Sequence, residues 1–326
     1  MAAKNESTKH TKLNRHWTLN IGHWKLTFMY DVIIVGGGPA GLSAALVLGR
    51  CRRSVLVCDS GQPRNVASHG LHGFITRDGI EPKDFLRIAR EQLKPYNSVE
   101  LREAKVIGAV RENNRFVVTL PDGAQVASRK LLIATGVVDE LPSLEGLDQF
   151  YGTSVFHCPY CDGWEMRDQP IAIYGRGENG SGLAVEMTLW SRDLILCTDG
   201  PAELSAEHRQ KLEEHQIPVR EGRIARLEGS DGVLKQIVFE TGEKLPRRGI
   251  FFSTGWKQHS DLANSLGCRL TEEGCIDTGE YEATSVHGVY VAGDASRMVQ
   301  FVIVAAAEGA QAAVAINKEL MKEDLS

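Results

Sequence analysis

The sequence predicts an α/β protein built from two Rossmann-like three-layer nucleotide-binding domains. Three observations carry that prediction. YDVIIVGGGPAGLSAALVLG places Gly36-x-Gly38-x-x-Gly41 between an apolar run and an Ala/Leu-rich one. IAIYGRGENGSGLAVEM repeats the arrangement with Gly175-x-Gly177-x-x-Gly180. In each copy a second apolar run follows and closes on an acid, Asp59 after SVLVC and Asp199 after DLILCT, about 20 residues beyond the turn.

The chemistry of such a unit is local. An apolar strand runs into a tight glycine turn that opens a helix. The helix N-terminus offers free N–H groups and a positive dipole end to a pyrophosphate. Glycines remove side chains that would block the phosphates or the helix–strand packing. The acid can bond a ribose hydroxyl. One such turn is weak evidence. The whole order of strand, turn, helix, strand and acid, met twice, is strong evidence.

Along the chain, residues 1–28 form a polar, mildly basic N-terminal extension without the apolar stretch of a secretory signal. They are read as a disordered tail or an unneeded leader, with Trp17 and Trp24 leaving room for packing on the body or a partner. Folding is expected to begin at Met29-Tyr30. After Asp59 and Ser60 comes a loop with Arg64-Asn65, then an amphipathic helix. VELREAKVIGAVREN, RFVVTLPDGAQ and RKLLIATG read as a β-meander whose last strand returns to the cofactor at Thr135-Gly136. Residues 137–150 read as a crossover. The second unit starts near Pro170, has its own meander, and returns through GIFFSTG. IATG and FSTG are matching ends of an internal duplication. HGVYVAGD then ends a strand in Gly293-Asp294, where a carboxylate can hold a ribityl hydroxyl, and the Ala-rich residues 304–315 read as simple helix packing.

Composition excludes other classes. The hydrophobic share of 42% is ordinary for a globular chain. A net charge of −5 gives no reason to expect nucleic acid as a partner. No apolar run reaches the length of a membrane span. Seven cysteines is an odd number, which suits a reducing, cytoplasmic setting with one special pair.

That pair is Cys158 and Cys161 in HCPYCDGW. A redox dithiol between two cofactor cradles points to electron traffic between a flavin and a disulfide. Zinc would need two more ligands, and no second C-x-x-C exists, so no metal is expected. Pro159 and Tyr160 fix a short turn that sets both sulfurs on one edge. Thiols in such motifs acidify, and the thiolate is the nucleophile. Asp162 is either a proton donor/acceptor for the pair or a turn-capping acid before Gly163. His157 either lowers a thiol pKa or makes a local hydrogen bond. Trp164 and Trp256 are read as core packing rather than as a flavin wall. The remaining cysteines, Cys51, Cys58 and Cys197 among them, are read as unreactive.

GGGPAG, IATG, the C-x-x-C followed by Asp162-Gly163, and GVYVAGD together resemble the low-molecular-weight thioredoxin reductases, over residues 29–326. The resemblance implies an FAD-binding domain of residues 29–144 and 257–326, with a second dinucleotide-binding domain, 145–256, inserted into it. It implies a homodimer whose inserted domain swings between two positions, a flavin-facing Cys161, a substrate-facing Cys158, and Asp162 as acid or base. It places FAD against Gly36, Gly38, Pro39, Ala40 and Gly41, against Asp59, Ser60, Arg64 and Asn65, and against Thr135, Gly136, Gly293 and Asp294. The second cradle would use Gly175, Gly177, Gly180 and Asp199.

Two departures modify this picture. NADPH-using members carry a basic cluster after the second strand of the inserted domain. Here that place reads CTDG, and a carboxylate there suits an unphosphorylated ribose. Arg176 between the glycines either binds a pyrophosphate or plugs the cradle. In addition, HGFITRDG, Arg64-Asn65 and CPYC resemble fungal-type dithiol oxidases and, most closely, the diflavin-linked disulfide oxidoreductases of oxygenic photosynthetic prokaryotes. This resemblance implies an FAD-dependent disulfide oxidoreductase that is not NADPH-linked, with a second FAD or NAD in the central cradle. Its partner would be a dithiol/disulfide protein or a small thiol. The alternatives are an NAD(P)H-dependent thioredoxin reductase, an oxygen-using dithiol oxidase and a non-catalytic flavin redox sensor.

Overall fold

A computed structural model describes residues 29–326 of the chain, and the expectation for residues 1–28 lies outside the described residues. Two sheets organise the molecule, the first mixed and the second parallel. In the first, the strand Met29–Val35 lies at the centre between Val55–Asp59 and Gln125–Ile133, both parallel to it. Val32, Ile33 and Ile34 are fully buried in succession, because helices or further strands cover both faces of the sheet. Along its other edge Gln125–Ile133 is long enough to serve two further partners. Its first half pairs antiparallel with Arg115–Thr119, and its second half pairs parallel with Val289–Val291.

The meander differs from the sequence expectation at its start. Val99–Glu103 leaves it and joins the parallel sheet as the edge strand beside Val55–Asp59, in the register Val55↔Val99. Only Gly108–Glu112, Arg115–Thr119 and Gln125–Ile133 run antiparallel in sequence. The helix Pro82–Leu93 returns the chain to the far edge of the sheet, where a right-handed crossover demands a parallel neighbour.

Two helices meet over one face of this sheet, Pro39–Arg50 and Val302–Leu325. A β-carbon on Gly309 would lie 2.0 Å from the Ala40 carbonyl oxygen, so glycine alone permits the crossing. Ala312 and Ala313, wholly buried, continue the close contact. The Ala-rich stretch is therefore packing, as its composition suggested.

The second sheet is parallel throughout, in the order Val219–Arg220, Leu194–Cys197, Ile171–Tyr174, Gly249–Phe252, Val155–Phe156. A three-stranded antiparallel meander of Ile224–Ser230, Val233–Phe239 and Lys244–Pro246 packs on it through Leu227, Leu234 and Ile237. The chain passes between the two sheets twice, and the passages pair with each other. Val137–Asp139 runs antiparallel to Trp256–Gln258 as a two-stranded ribbon. No helix among the described residues is long and apolar enough to cross a membrane.

Candidate active site

The C-terminal ends of the first sheet's strands open into a deep cleft. Gly36 turns the chain there at φ +113°, a conformation other residues rarely adopt. A β-carbon on Gly36 would sit 2.2 Å from the Ala134 carbonyl oxygen, and one on Gly41 would sit 1.9 Å from the Gly36 carbonyl oxygen. Gly37 is as confined, its β-carbon position lying 2.4 Å from Asp59 Oδ2. The helix then starts at Pro39 with no side chain capping it. Its first N–H groups are left for a ligand, which is the arrangement a pyrophosphate needs. A cradle that β-carbons would fill, beside an uncapped helix, fits the FAD expected from the sequence.

The remaining expected cofactor residues of this half share the same cleft. Gly38, Pro39 and Ala40 form its floor, with Asp59 and Ser60 at one side and Thr135 and Gly136 at the other. Asp59 accepts hydrogen bonds from Arg90 Nη2 at 2.6 Å and the Gly61 N–H at 3.1 Å. Arg64, Asn65, Gly293 and Asp294 complete the wall. Arg64 is already engaged: its guanidinium contacts Asp139, Asp294 Oδ2 at 2.9 Å and Gln300 Oε1 at 2.6 Å. Burial raises the Asp294 carboxyl above its ordinary range, against the opposing charge of Arg64.

The Gly293 turn has a support that sequence reading missed. The Gly293 N–H donates to Glu308 Oε2 at 2.7 Å, and Arg297 Nε lies 2.6 Å from Glu308 Oε1. Glu308 is 4% exposed, and a lone carboxylate in an Ala-rich helix was the available signal.

The dithiol meets this cleft from the second sheet. Val155–Phe156 leads through His157 into the one-turn helix Pro159–Asp162. Cys158 and Cys161 form a disulfide. Cys158 caps the turn, its sulfur accepting the Cys161 N–H at 3.2 Å. Cys161 and Asp162 line the cleft, whereas Cys158 is not part of its wall. Burial pushes the Asp162 carboxyl up to about 7, with His72 opposing and Glu165 adding to the rise. Tyr160 stands edge-on to Trp190 and to Phe301, the residue before the Val302–Leu325 helix. The turn thus leans on both halves of the molecule.

Behind the dithiol lies a polar knot. Asp139, 6% exposed at its side chain, comes from the ribbon joining the two sheets. Besides Arg64 it accepts from Tyr151 Oη at 3.3 Å, and His157 Nε2 lies 3.8 Å away. Tyr151 Oη also contacts His157 Nδ1 at 3.2 Å. Burial holds the imidazole of His157 below its ordinary pKa, with Asp139 opposing. His157 therefore has the local hydrogen bond that was one of its two sequence readings. Asp139 and Tyr151 carry no motif and were missed.

Trp164 corrects an expectation. It is 65% exposed rather than core, because the short helix turns it outward, and Arg167 covers its ring at 4.2 Å. The other cysteines mostly follow the sequence reading. Burial pushes Cys58 up to about 11 and Cys197 up to about 12, which keeps both as thiols. Cys51 instead is exposed at the end of the Pro39–Arg50 helix.

Gly175, Gly177, Gly180 and Asp199 of the second cradle do not line the first cleft. Gly175 and Gly180 touch backbone to backbone, a β-carbon on Gly180 lying 2.5 Å from the Gly175 carbonyl carbon. Gly177 opens the helix Gly177–Glu186 at φ +54°. Arg176 does not point at that helix end. Its guanidinium bonds the carbonyl oxygens of Thr198 at 2.7 Å and Asp199 at 2.5 Å. Asp199 Oδ1 accepts the Ile224 N–H at 2.8 Å, and Arg223 Nη1 lies 3.7 Å from Oδ2. The segment CTDG contains no arginine, yet folding brings Arg176 and Arg223 to Gly200. Twenty-odd residues of intervening chain hide that approach from a local reading.

With the geometry in place, the chain can be set beside known proteins. The model of the pyridine nucleotide-disulphide oxidoreductase family matches residues 30–309. The chain is 33% identical over 334 residues to a protein of Arthroderma benhamiae named "Probable thioredoxin reductase", covering 90% of this chain and 81% of that one. It is 29% identical to a thioredoxin reductase of Aquifex aeolicus, over 90% and 94% of the two chains. The crystal structure of HlmI superposes with a TM-score of 0.88 at 35% identity, over 91% of this chain and 94% of that one.

Proposed function

We propose a function from one premise: the chain belongs to the pyridine nucleotide-disulphide oxidoreductase family, as a thioredoxin-reductase-like flavin oxidoreductase. It exchanges electrons between one FAD in the first cleft and the Cys158–Cys161 disulfide, and does so without NADPH. The observation that carries the first half is the placement of Cys161 and Asp162 in the wall of the cleft that the Gly36–Gly41 turn closes. FAD supplies a two-electron carrier when bound. Cys161 is the sulfur that meets it, and Cys158, outside the cleft wall, exchanges with a protein or small-molecule disulfide. Asp162 holds or releases the proton that a leaving sulfur needs, and its buried carboxyl keeps a proton to higher pH than an exposed one.

The second half rests on Asp199. Its carboxylate stands at the end of the Leu194–Cys197 strand, where a 2′-phosphate would have to lie, and a ribose 2′-hydroxyl suits it better. We assign the cradle to an unphosphorylated dinucleotide, a second FAD or NAD. A second reading, an NADPH-linked reductase, is favoured by the approach of Arg176 and Arg223 to Gly200. The division into residues 29–144 with 257–326 and residues 145–256 is also proposed, supported by the paired ribbon at the two passages. A homodimer belongs to the same proposal.

Rapid mixing with NADPH and NADH, together with a flavin count per chain, tests this reading. The flavin should stay oxidised with NADPH over seconds. Fast, saturable bleaching by micromolar NADPH would establish the second reading instead.

A further inference from the structure

We propose that His72 is a positioning residue for proton transfer, passing protons between solvent and Asp162 while the dithiol lies against the cofactor cleft. The inference rests on the disulfide-oxidoreductase reading above and adds to it the route by which Asp162 is recharged.

His72 sits in a built loop. The Leu71 N–H donates to the Ile80 carbonyl and the Gly79 N–H to the Leu71 carbonyl, both at 2.8 Å, which pins the loop shut. Asp78 Oδ1 accepts the Gly73 N–H at 2.8 Å, and Phe74 packs on Phe85 of the Pro82–Leu93 helix. The imidazole rests over Gly70, where a β-carbon would come within 2.9 Å of Nε2.

From there the ring reaches across to the dithiol segment. Its Nδ1 is 3.6 Å from Asp78 Oδ1, and its Nε2 is 3.7 Å from Glu165 Oε1. Asp78 is 68% exposed and Glu165 42%, so both are wet. His72 also lines the cleft wall that holds Cys161 and Asp162. One ring thus has solvent-facing carboxylates near both nitrogens and shares the cleft wall with Asp162, three residues before Glu165. The charged and titratable groups facing Asp162 are His72 from the loop, Tyr151 and Glu165. Those facing His72 are Asp78, Glu165 and Asp162.

The chemistry needs such a link. Reducing the disulfide takes two electrons from the cofactor and one proton. The S–S bond breaks, Cys161 is left as thiolate, and Cys158 becomes a thiol with the proton Asp162 releases. The Asp162 carboxylate then regains a proton from the imidazolium of His72, which regains one from water. Oxidation runs the same steps backwards. Asp162 is half-buried in the cleft wall, where a bound cofactor would cover its solvent side, and an imidazole carries protons readily. Its positive form also favours the Asp162 carboxylate, as the opposing influence of His72 on that acid indicates.

The test uses the flavin-loaded protein as wild type, His72→Gln and Asp162→Asn. One measurement, after dithionite has reduced the pair, is the exchange rate of the dithiol with 5,5′-dithiobis(2-nitrobenzoate) from pH 5.5 to 8.5, with and without added imidazole. The other is the infrared carbonyl band of protonated Asp162, identified by its loss in Asp162→Asn. His72→Gln should keep its flavin, exchange about tenfold more slowly and recover with imidazole. Its Asp162 band should titrate about half a pH unit higher. Wild-type exchange rates in His72→Gln, or slow exchange that imidazole does not restore with an unmoved Asp162 band, would overturn the inference alone. A flavin-loaded wild type that exchanges with no disulfide would overturn the underlying reading and this inference with it. Gly70→Ala, which displaces the ring without changing its chemistry, provides the same readouts should His72→Gln fold poorly.

Discussion

Arg64 grips Asp139 through two hydrogen bonds, Nε to Oδ2 at 2.8 Å and Nη2 to Oδ1 at 2.5 Å. The pair ties the loop after the second strand of the first sheet to the ribbon that leads into the second sheet. Burial alone would raise the Asp139 carboxyl, but the Arg64 hydrogen bond, then His157 and the Arg64 charge, hold it below the ordinary range. Arg64 spends its remaining donors on Asp294 and Gln300. Through Tyr151 and His157 the pair also touches the segment that leads into the dithiol.

The first prediction follows from that geometry. Asp139→Asn removes the buried carboxylate that Arg64 grips, leaving the guanidinium only Asp294 and Gln300, and should destabilise the protein by about 3 kcal/mol. A depressed carboxyl contributes stability above its unfolded pKa, and that stability is lost as pH falls through the folded value. Wild type should therefore lose melting temperature in acid more steeply than Asp139→Asn. Parallel melting curves for the two between pH 3 and 7 would count against the pair.

The second prediction concerns FAD. The purified chain should be yellow, and heating should release FAD rather than FMN. Gly41→Ala should abolish retention, because its β-carbon would press on the Gly36 carbonyl oxygen 1.9 Å away. Released-flavin fluorescence per chain measures both. A colourless wild type that takes up no added FAD would end the reading.

The third prediction separates the two sulfurs. Cys158→Ser and Cys161→Ser should each lose disulfide exchange and keep flavin. Cys161 lines the cleft, so Cys158→Ser should show a long-wavelength charge-transfer band from the remaining thiolate. If the band appears in Cys161→Ser and not in Cys158→Ser, the roles are reversed.

The fourth prediction uses the raised carboxyl of Asp162, pushed by burial up to about 7. As a proton donor it is competent below that value, so disulfide reduction should fall as pH rises through about 7. Asp162→Asn should be slower by about a hundredfold and lack that limb of the profile. The sign for stability is the same: a raised acid favours the folded state at low pH and withdraws that contribution as pH rises through the folded value. An unchanged pH profile in Asp162→Asn would leave the residue as a turn-capping acid only.

The sequence by itself determined the two cradles, the dithiol and the fold class. Each is a local feature. Gly41, Gly175 and Gly180 are demanded by backbone contacts within a few residues, and the C-x-x-C turn closes over one helical turn. Such features are written in adjacent letters. Tertiary structure decided the rest, because the partners lie far apart in the chain. Arg64 and Asp139 are 75 residues apart, and His72 meets Glu165 across the two sheets. Glu308 supports Gly293 from a different helix, and Arg223 reaches Asp199 from the start of the central meander. Val99–Glu103 joined the parallel sheet for the same reason, since its partner is chosen by the crossover helix and not by its own five residues. A side chain's charge and shape are fixed by its codon, but which groups face it in a buried site depends on the packing of segments that no short motif connects.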